Sequence, residues 1–192
     1  MGGGDKALLH LAGRPLLTHV VSRFAPQVDK LALNANGDAR RFSGFGLPVI
    51  ADTLEGYAGP LAGILAGLEW AASDPSLDRL ASVSADSPFF PAHLVERLAA
   101  AVEGSPDSIA VACSAGRRHP VFALWPVSLR TYLHRFLTAG ERKVSLFLDA
   151  HACVEVDFPP EGKGSSLLDP FFNINTPQDL AEAGRWLGEH RG

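Results

Sequence analysis

Three glycines followed by an acid and a lysine, Gly2-Gly3-Gly4-Asp5-Lys6, stand near the start of a 192-residue chain and have the composition of a phosphate cradle. Glycines allow successive backbone N–H groups to turn inward around an anion. The Lys6 ammonium can reach the same oxygens. A flexible tail would carry the same glycines. Against that, the segment runs directly into Leu8, Leu9 and Leu11 and then, past a Gly13-Arg14-Pro15 turn, into a helical pattern over residues 16–24.

Three further polar side chains close apolar β-type runs: Asn34 after residues 30–33, Asp52 after 47–51 and Asp86 after 80–83. Singly, each suits a turn or a helix cap. Open parallel sheets bind ligands at the carboxyl ends of their strands, so the three together with a glycine-rich loop read as a nucleotide crevice. Asp86, between Val83-Ser84-Ala85 and Ser87-Pro88, is poorly explained as a cap alone. A hard oxygen donor beside phosphates suits Mg2+, which keeps several waters and takes one or two carboxylates.

The elements that must position these residues alternate along the first half. A turn over residues 34–37 and a short polar helix over 38–42 lead to the second strand, 47–51. Pro60 opens a helix over 61–72 whose Leu61, Leu65 and Leu68 share a face, and Pro91 opens another to residue 102. From Ile109 the pattern becomes a β-hairpin, strands 109–113 and 120–125 around Ser114-Ala115-Gly116-Arg117-Arg118. Arg117 and Arg118 read as a solvated tip. Helices over 127–137 and 144–148, a strand over 153–158 and a Gly/Ser loop over 161–166 follow, and Thr176-Pro177 caps a last helix from 178 to 190. Repeated βαβ units followed by a hairpin predict a mixed, mostly parallel sheet in a three-layer α/β sandwich. The chain reads as a single domain, 1–192, with a nucleotide-binding half (1–105) and a second-substrate half (106–192).

A net charge of −4 argues against a nucleic-acid partner. No apolar run is long enough to span a bilayer, and no signal-peptide pattern is present. Cys113 and Cys153 each fall in a strand-like run and read as buried free thiols in a reducing cytoplasm. Trp70, Trp125 and Trp186 lie in periodic apolar patterns and read as core.

In sequence order the chain resembles the molybdenum cofactor guanylyltransferases. The resemblance is carried by Met1-Gly2-Gly3 with Asp5-Lys6, Gly13-Arg14-Pro15-Leu16, Asn34-Ala35-Asn36, Asp52 and Gly59-Pro60-Leu61-Ala62-Gly63. It continues through Asp86-Ser87-Pro88, His119-Pro120, Gly140-Glu141-Arg142-Lys143-Val144 and Phe172-Asn173-Ile174-Asn175-Thr176-Pro177. The resemblance implies a cytoplasmic enzyme of Rossmann-like nucleotidyltransferase fold. Such an enzyme transfers GMP from GTP to the phosphate of molybdopterin with Mg2+, and it can contact molybdenum-cofactor proteins transiently. It implies GTP binding by Gly2, Gly3, Lys6, Asn34, Asp52 and Asp86, with Asp86 as metal ligand. It assigns His119, Arg142, Lys143, Asn173 and Asn175 to the pterin substrate. One departure stands out: family members carry a strand ending in Leu-Ala-Gly-Gly ahead of the Met-Gly-Gly matched here, so the expectation is a first central strand missing from the chain and a start upstream of Met1. The competing readings are a CTP- or sugar-phosphate-type nucleotidyltransferase and a non-catalytic nucleotide-binding protein.

Overall fold

The computed structural model describes residues 6–54, 56, 59–160 and 167–189; Gly2, Gly3 and the 161–166 loop of the sequence reading lie outside them. The first described element is a short antiparallel pair, β1 (His10–Leu11) and β2 (Arg14–Pro15). Ala12 and Gly13 turn it at φ 49° and 79°, a left-handed step that glycine adopts without strain. Helix α1 (Leu16–Phe24) follows and buries Leu16, Leu17, Val20 and Phe24 on one face. A parallel pair comes next, β3 (Leu33–Asn34) and β4 (Val49–Ile50), joined through a 3-10 helix at Ala39–Phe45 that Asp38 caps by accepting from the Arg40 N–H.

Helix α2 (Pro60–Ala71) leads to β5 (Arg79–Ser82), and α3 (Leu94–Ala101) leads to β6 (Ile109–Ser114). The expected hairpin forms between β6 and β7 (Arg117–Pro126), and α4 (Arg130–Thr138), α5 (Val144–Asp149), β8 (Cys153–Asp157) and α6 (Pro177–Glu189) complete the described chain. The strand order is β5-β7-β6-β8, with β7 antiparallel to both neighbours and β6 parallel to β8. Among the described residues the sheet is mixed, as expected, but not mostly parallel: two of its three pairings, those of β7, are antiparallel, and β3 and β4 form a separate parallel pair beside it.

All six residues of β6 are buried because both faces of the sheet are covered. Ala110 and Ala112 pack with Val20, Phe24, Leu94 and Leu98 on the side of α1 and α3. Ile109 and Val111 pack with Leu65, Leu68, Leu133 and Phe147 on the side of α2, α4 and α5. This is the three-layer arrangement that the sequence order predicts. A third cluster joins Leu11 and Leu16 to Phe89, Leu168, Ile174 and Ala183. It ties the N-terminal hairpin, the loop after Asp86 and the last helix into one unit.

The structure corrects several local expectations. Strand 30–33 shifts to Leu33–Asn34, and the helix expected from residue 91 begins at Leu94. Cys113 is buried but Cys153 only half-buried. Burial, then the neighbouring Glu155 carboxylate, pushes the Cys113 thiol up to about 11, so it is protonated and structural. Arg118 is not a free hairpin tip: its guanidinium bonds Glu155 and, at 2.7 Å, Asp149. Among the described residues, no helix is long and apolar enough to cross a membrane.

Candidate active site

The loop that leaves β5 carries Asp86, half-buried, with Ser84 donating its hydroxyl to the Asp86 Oδ1. Among the described residues Oδ2 makes no hydrogen bond, so one carboxylate oxygen is fixed and the other keeps its lone pairs for a ligand. The Asp86 carbonyl accepts the Ile174 N–H at 2.9 Å, and the fully buried Ser87 hydroxyl donates to Asn173 Oδ1. Asn175 Oδ1 accepts from Lys6 Nζ at 2.9 Å. Residues 169 positions apart in sequence therefore meet, and Lys6, Asp86, Asn173 and Asn175 line one corner.

That corner is held from below by the start of α6. Asp179 Oδ2 accepts from the N–H groups of Asn175 and Thr176, both at 2.8 Å, and Thr176 Oγ1 accepts from the Asp179 N–H at 3.1 Å. Thr176 at the N-cap and Asp179 three residues on act as a capping box with Pro177 in the first turn. The two backbone bonds from Asn175 and Thr176 hold the Asp179 carboxyl below its ordinary value. No group of three or more His, Cys, Asp or Glu side chains among the described residues could hold a metal alone. A single carboxylate with a free oxygen fits a divalent ion that completes its shell with water and substrate phosphate.

A second cluster forms where β3 and β4 end. Asn34 Nδ2 donates to Asp52 Oδ1 at 3.0 Å and to the Ile50 carbonyl at 3.2 Å. Asn36 donates to Asp52 Oδ2 at 2.8 Å and accepts the Asp52 N–H at 2.9 Å. Both carboxylate oxygens are thus aimed by amides and keep lone pairs for a ligand. The parallel register, Leu33 opposite Val49 and Asn34 opposite Ile50, sets this geometry. Gly63 in α2 makes room for it: a Cβ there would lie 2.4 Å from Asn34 Oδ1. Gly59, at φ 129°, shapes the approach to that helix with a backbone conformation side-chain-bearing residues rarely adopt.

The remaining candidates make contacts of their own. His119 Nε2 lies 2.7 Å from the Ser114 hydroxyl, which donates to Asp169 Oδ2 at 2.9 Å. The ring stacks on Phe171 at 4.6 Å. Burial pushes its pKa down, opposed by Asp169 and assisted by Arg117, so the imidazole is neutral at pH 7. Ser114 is fully buried and bridges the histidine and the acid, so the trio is a positioning network rather than a nucleophile with its base. Arg142 donates to the carbonyls of Leu137 and Glu141 at the end of α4, and exposed Lys143 precedes α5. Both belong to the α4–α5 corner.

Sequence reasoning missed Asn36, Ser87 and Asp169 as site residues. Asn36 had a signal in its place two residues after Asn34, on the same side of an extended segment. Asp169 and Ser87 had none, because their partners lie 55 and 86 positions away.

The mixed α/β sandwich with polar groups at its strand ends is the fold of a nucleotidyltransferase. Molybdopterin-guanine dinucleotide biosynthesis protein A from Archaeoglobus fulgidus superposes with a TM-score of 0.75 at 22% identity, covering 97% of this chain and 92% of its own. The MobA-like NTP transferase domain matches residues 1–154. A molybdenum cofactor guanylyltransferase from Mesorhizobium japonicum is 56% identical over 188 residues, which is 97% of this chain and 89% of that protein. One from Rhodopseudomonas palustris (strain BisB5) is 54% identical over 96% of this chain and 87% of its own length. The chain belongs to the MobA-like NTP transferase family.

Proposed function

We propose that this chain is a molybdenum cofactor guanylyltransferase, transferring GMP from GTP to the phosphate of molybdopterin and releasing pyrophosphate. The observation that carries the reading is the convergence of Lys6, Asp86, Asn173 and Asn175 in one corner, in a chain sharing over half its residues with relatives of that name. A phosphate oxygen of the pterin substrate attacks the α-phosphorus of GTP, and the bond from that phosphorus to the bridging oxygen of pyrophosphate breaks. The nucleophile is already ionised near neutral pH, so the protein need supply no strong base. Its work is alignment of two polyanions and relief of their repulsion.

Lys6, with its ammonium steered by Asn175, faces the triphosphate. Asp86 would hold a divalent ion, read as Mg2+, which would supply charge neutralisation at the phosphates. Asn34 and Asp52 serve the guanosine; the aimed carboxylate suits the adjacent N–H donors of a guanine edge, and a base lacking them leaves it unpaired. Gly2 and Gly3 belong to the phosphate side in the same reading. His119, Arg142, Lys143, Asn173 and Asn175 serve molybdopterin, with Asn173 and Asn175 bordering the phosphates. The halves 1–105 and 106–192 thus divide the two substrates. The reading includes a cytoplasmic enzyme in transient contact with molybdenum-cofactor proteins.

Formation of the guanine dinucleotide from GTP and molybdopterin, monitored with GTP, CTP and ATP in parallel, is the direct test. GTP should be the preferred donor. Asp86→Asn should lower kcat about 100-fold or more while leaving Tm unchanged, since a metal ligand contributes several kcal/mol at the transition state. Equal use of CTP, or full turnover by Asp86→Asn, overturns the assignment.

A further inference from the structure

Ser114 has one hydroxyl hydrogen and two polar neighbours. It donates to Asp169 Oδ2 at 2.9 Å, and His119 Nε2 lies 2.7 Å from the same hydroxyl oxygen. Nε2 and Asp169 Oδ2 are 3.9 Å apart, too far for a direct hydrogen bond, so ring and acid meet through the serine. A carboxylate accepts, which commits the hydroxyl hydrogen to Asp169. The contact to Nε2 is then a hydrogen bond if the ring supplies the proton. In the other tautomer two lone pairs would oppose each other at 2.7 Å, against a serine that is fully buried. His119 is neutral at pH 7, so one ring nitrogen carries hydrogen, and that nitrogen is Nε2.

Both ends of this chain of bonds are held. The His119 side chain is 11% exposed and lies against two rings, Phe171 at 4.6 Å and Phe122 at 6.5 Å. Asp169 gives its other oxygen to the Phe171 N–H at 2.8 Å and its carbonyl to the Phe172 N–H at 3.0 Å. The acid therefore opens the segment that carries Asn173 and Asn175 and also sets the proton on the histidine. Nδ1, by contrast, makes no hydrogen bond among the described residues and is not sealed from solvent. A bare ring nitrogen accepts and cannot donate. An ionised phosphate offers acceptor oxygens, whereas a pterin carries N–H groups along its ring edge.

We propose that Asp169, acting through Ser114, is a positioning residue that holds His119 in the Nε2–H tautomer, and that Nδ1 accepts an N–H of the pterin ring in the second substrate. This rests on the guanylyl reading for the identity of that substrate, and on bond geometry alone for the tautomer. It gives His119 a role distinct from that of Arg142 and Lys143, whose cations suit the molybdopterin phosphate. The histidine selects a heterocycle with a donor at that edge; a ligand that presents an acceptor there leaves two lone pairs opposed. Asp169→Asn reverses the arrangement without changing its shape. The Phe171 N–H needs an acceptor, so the amide oxygen stays with it and the amide NH2 turns to Ser114. The serine then accepts from the amide and gives its hydrogen to Nε2, which moves the ring proton to Nδ1.

Long-range proton–nitrogen NMR correlations on the 192-residue chain, 15N-labelled at histidine, read the tautomer without any substrate. Two other rings serve as references, because a carbonyl accepts: His19 Nε2 faces the Leu11 carbonyl and His151 Nδ1 the Phe147 carbonyl, which makes them the Nε2–H and Nδ1–H types. At about pH 8 the His119 pattern, assigned by its loss in His119→Asn, should match His19 in wild type and His151 in Asp169→Asn. Initial rates should show the KM for molybdopterin raised about tenfold or more in Asp169→Asn, with Tm and the KM for GTP little changed. Ser114→Ala removes the bridge at the loss of one small atom. It should give a mixture of tautomers and an intermediate KM, and it carries the test if Asp169→Asn folds poorly. A His151-type pattern in wild type overturns the proposal. So does a wild-type tautomer and KM in both variants, or a KM for GTP raised as much as that for molybdopterin. Product formation by wild type separates the two readings. An inactive wild type with the expected tautomer sinks the guanylyl reading and the substrate assigned to Nδ1 with it, whereas turnover with a KM indifferent to the tautomer sinks this proposal alone.

Discussion

At the scale of single residues, the most exacting contact is the one that a missing atom permits. Asn34 sits where a Cβ on Gly63 would intrude to 2.4 Å, and Asn34 in turn aims Asp52. Gly63→Ala should therefore push the amide off the carboxylate. Alanine favours the helix by about 1 kcal/mol, which offsets part of the clash. The expected result is a Tm close to wild type with the KM for GTP raised about tenfold and kcat changed less, measured by initial rates over a GTP series. His119 provides a pH signature. Its folded pKa lies below the unfolded value of about 6.5, so the unfolded chain binds the extra proton first. Stability from this group is present above about pH 6.5 and falls as pH drops toward the folded pKa. Tm measured between pH 8 and pH 5.5 should decline more steeply in wild type than in His119→Asn.

Single elements carry the site by their ends. The loop after β5 and the segment before α6 lie against each other through the Asp86–Ile174 backbone bond and the Ser87–Asn173 side-chain bond. Thr176 caps α6 and keeps that segment in place for Asn175 to meet Lys6. Thr176→Val removes the cap oxygen while keeping the shape, at a cost of about 1 kcal/mol. In a chain of this length that is a fall in Tm of about 2–4 °C. The loss should be accompanied by a reduced kcat, since Asn175 shifts with the first turn of the helix. A Tm decrease with unaltered kcat would separate the cap from the catalytic corner. The β6–β7 hairpin shows a different device. Ala123 opposes Val111, yet His119 rather than Phe122 opposes Ala112, so β7 slips by three residues across Pro120. Proline cannot donate to a ladder, and the irregularity re-aims His119 toward Ser114 and Asp169.

Taken whole, the molecule places its two site clusters on separate sheets. Asn34, Asn36 and Asp52 belong to the β3–β4 pair, and Asp86 belongs to the β5 side. The cluster of Leu11, Leu16, Phe89, Ile174 and Ala183 joins the N-terminal hairpin to the last helix, so Lys6 and Asn175 depend on the same apolar contact. Ile174→Ala deletes a fully buried side chain of that cluster and should destabilise by about 2–5 kcal/mol. The Tm should fall by roughly 4–20 °C, and GTP binding by the folded protein should weaken because Lys6 loses its register with Asn175.

The element order, the hairpin after Ile109, the Thr176 cap and the placing of Asn34 and Asp52 at strand ends were legible in the sequence, whereas the bond between those two side chains was not. Each rests on local signals: hydrophobic period, turn residues, and polar groups placed after apolar runs. The family pattern added the activity. The sequence could not disclose that Lys6 meets Asn175, that Ser87 reaches Asn173, or that Arg118 is held by Asp149 and Glu155. Those contacts join residues remote along the chain, and nothing local distinguishes a lysine that will find an amide from one that will face water. The slip at Pro120 and the half-burial of β5 were likewise hidden, because periodicity marks which face a side chain takes, whereas register and neighbouring strands are chosen only when the layers pack.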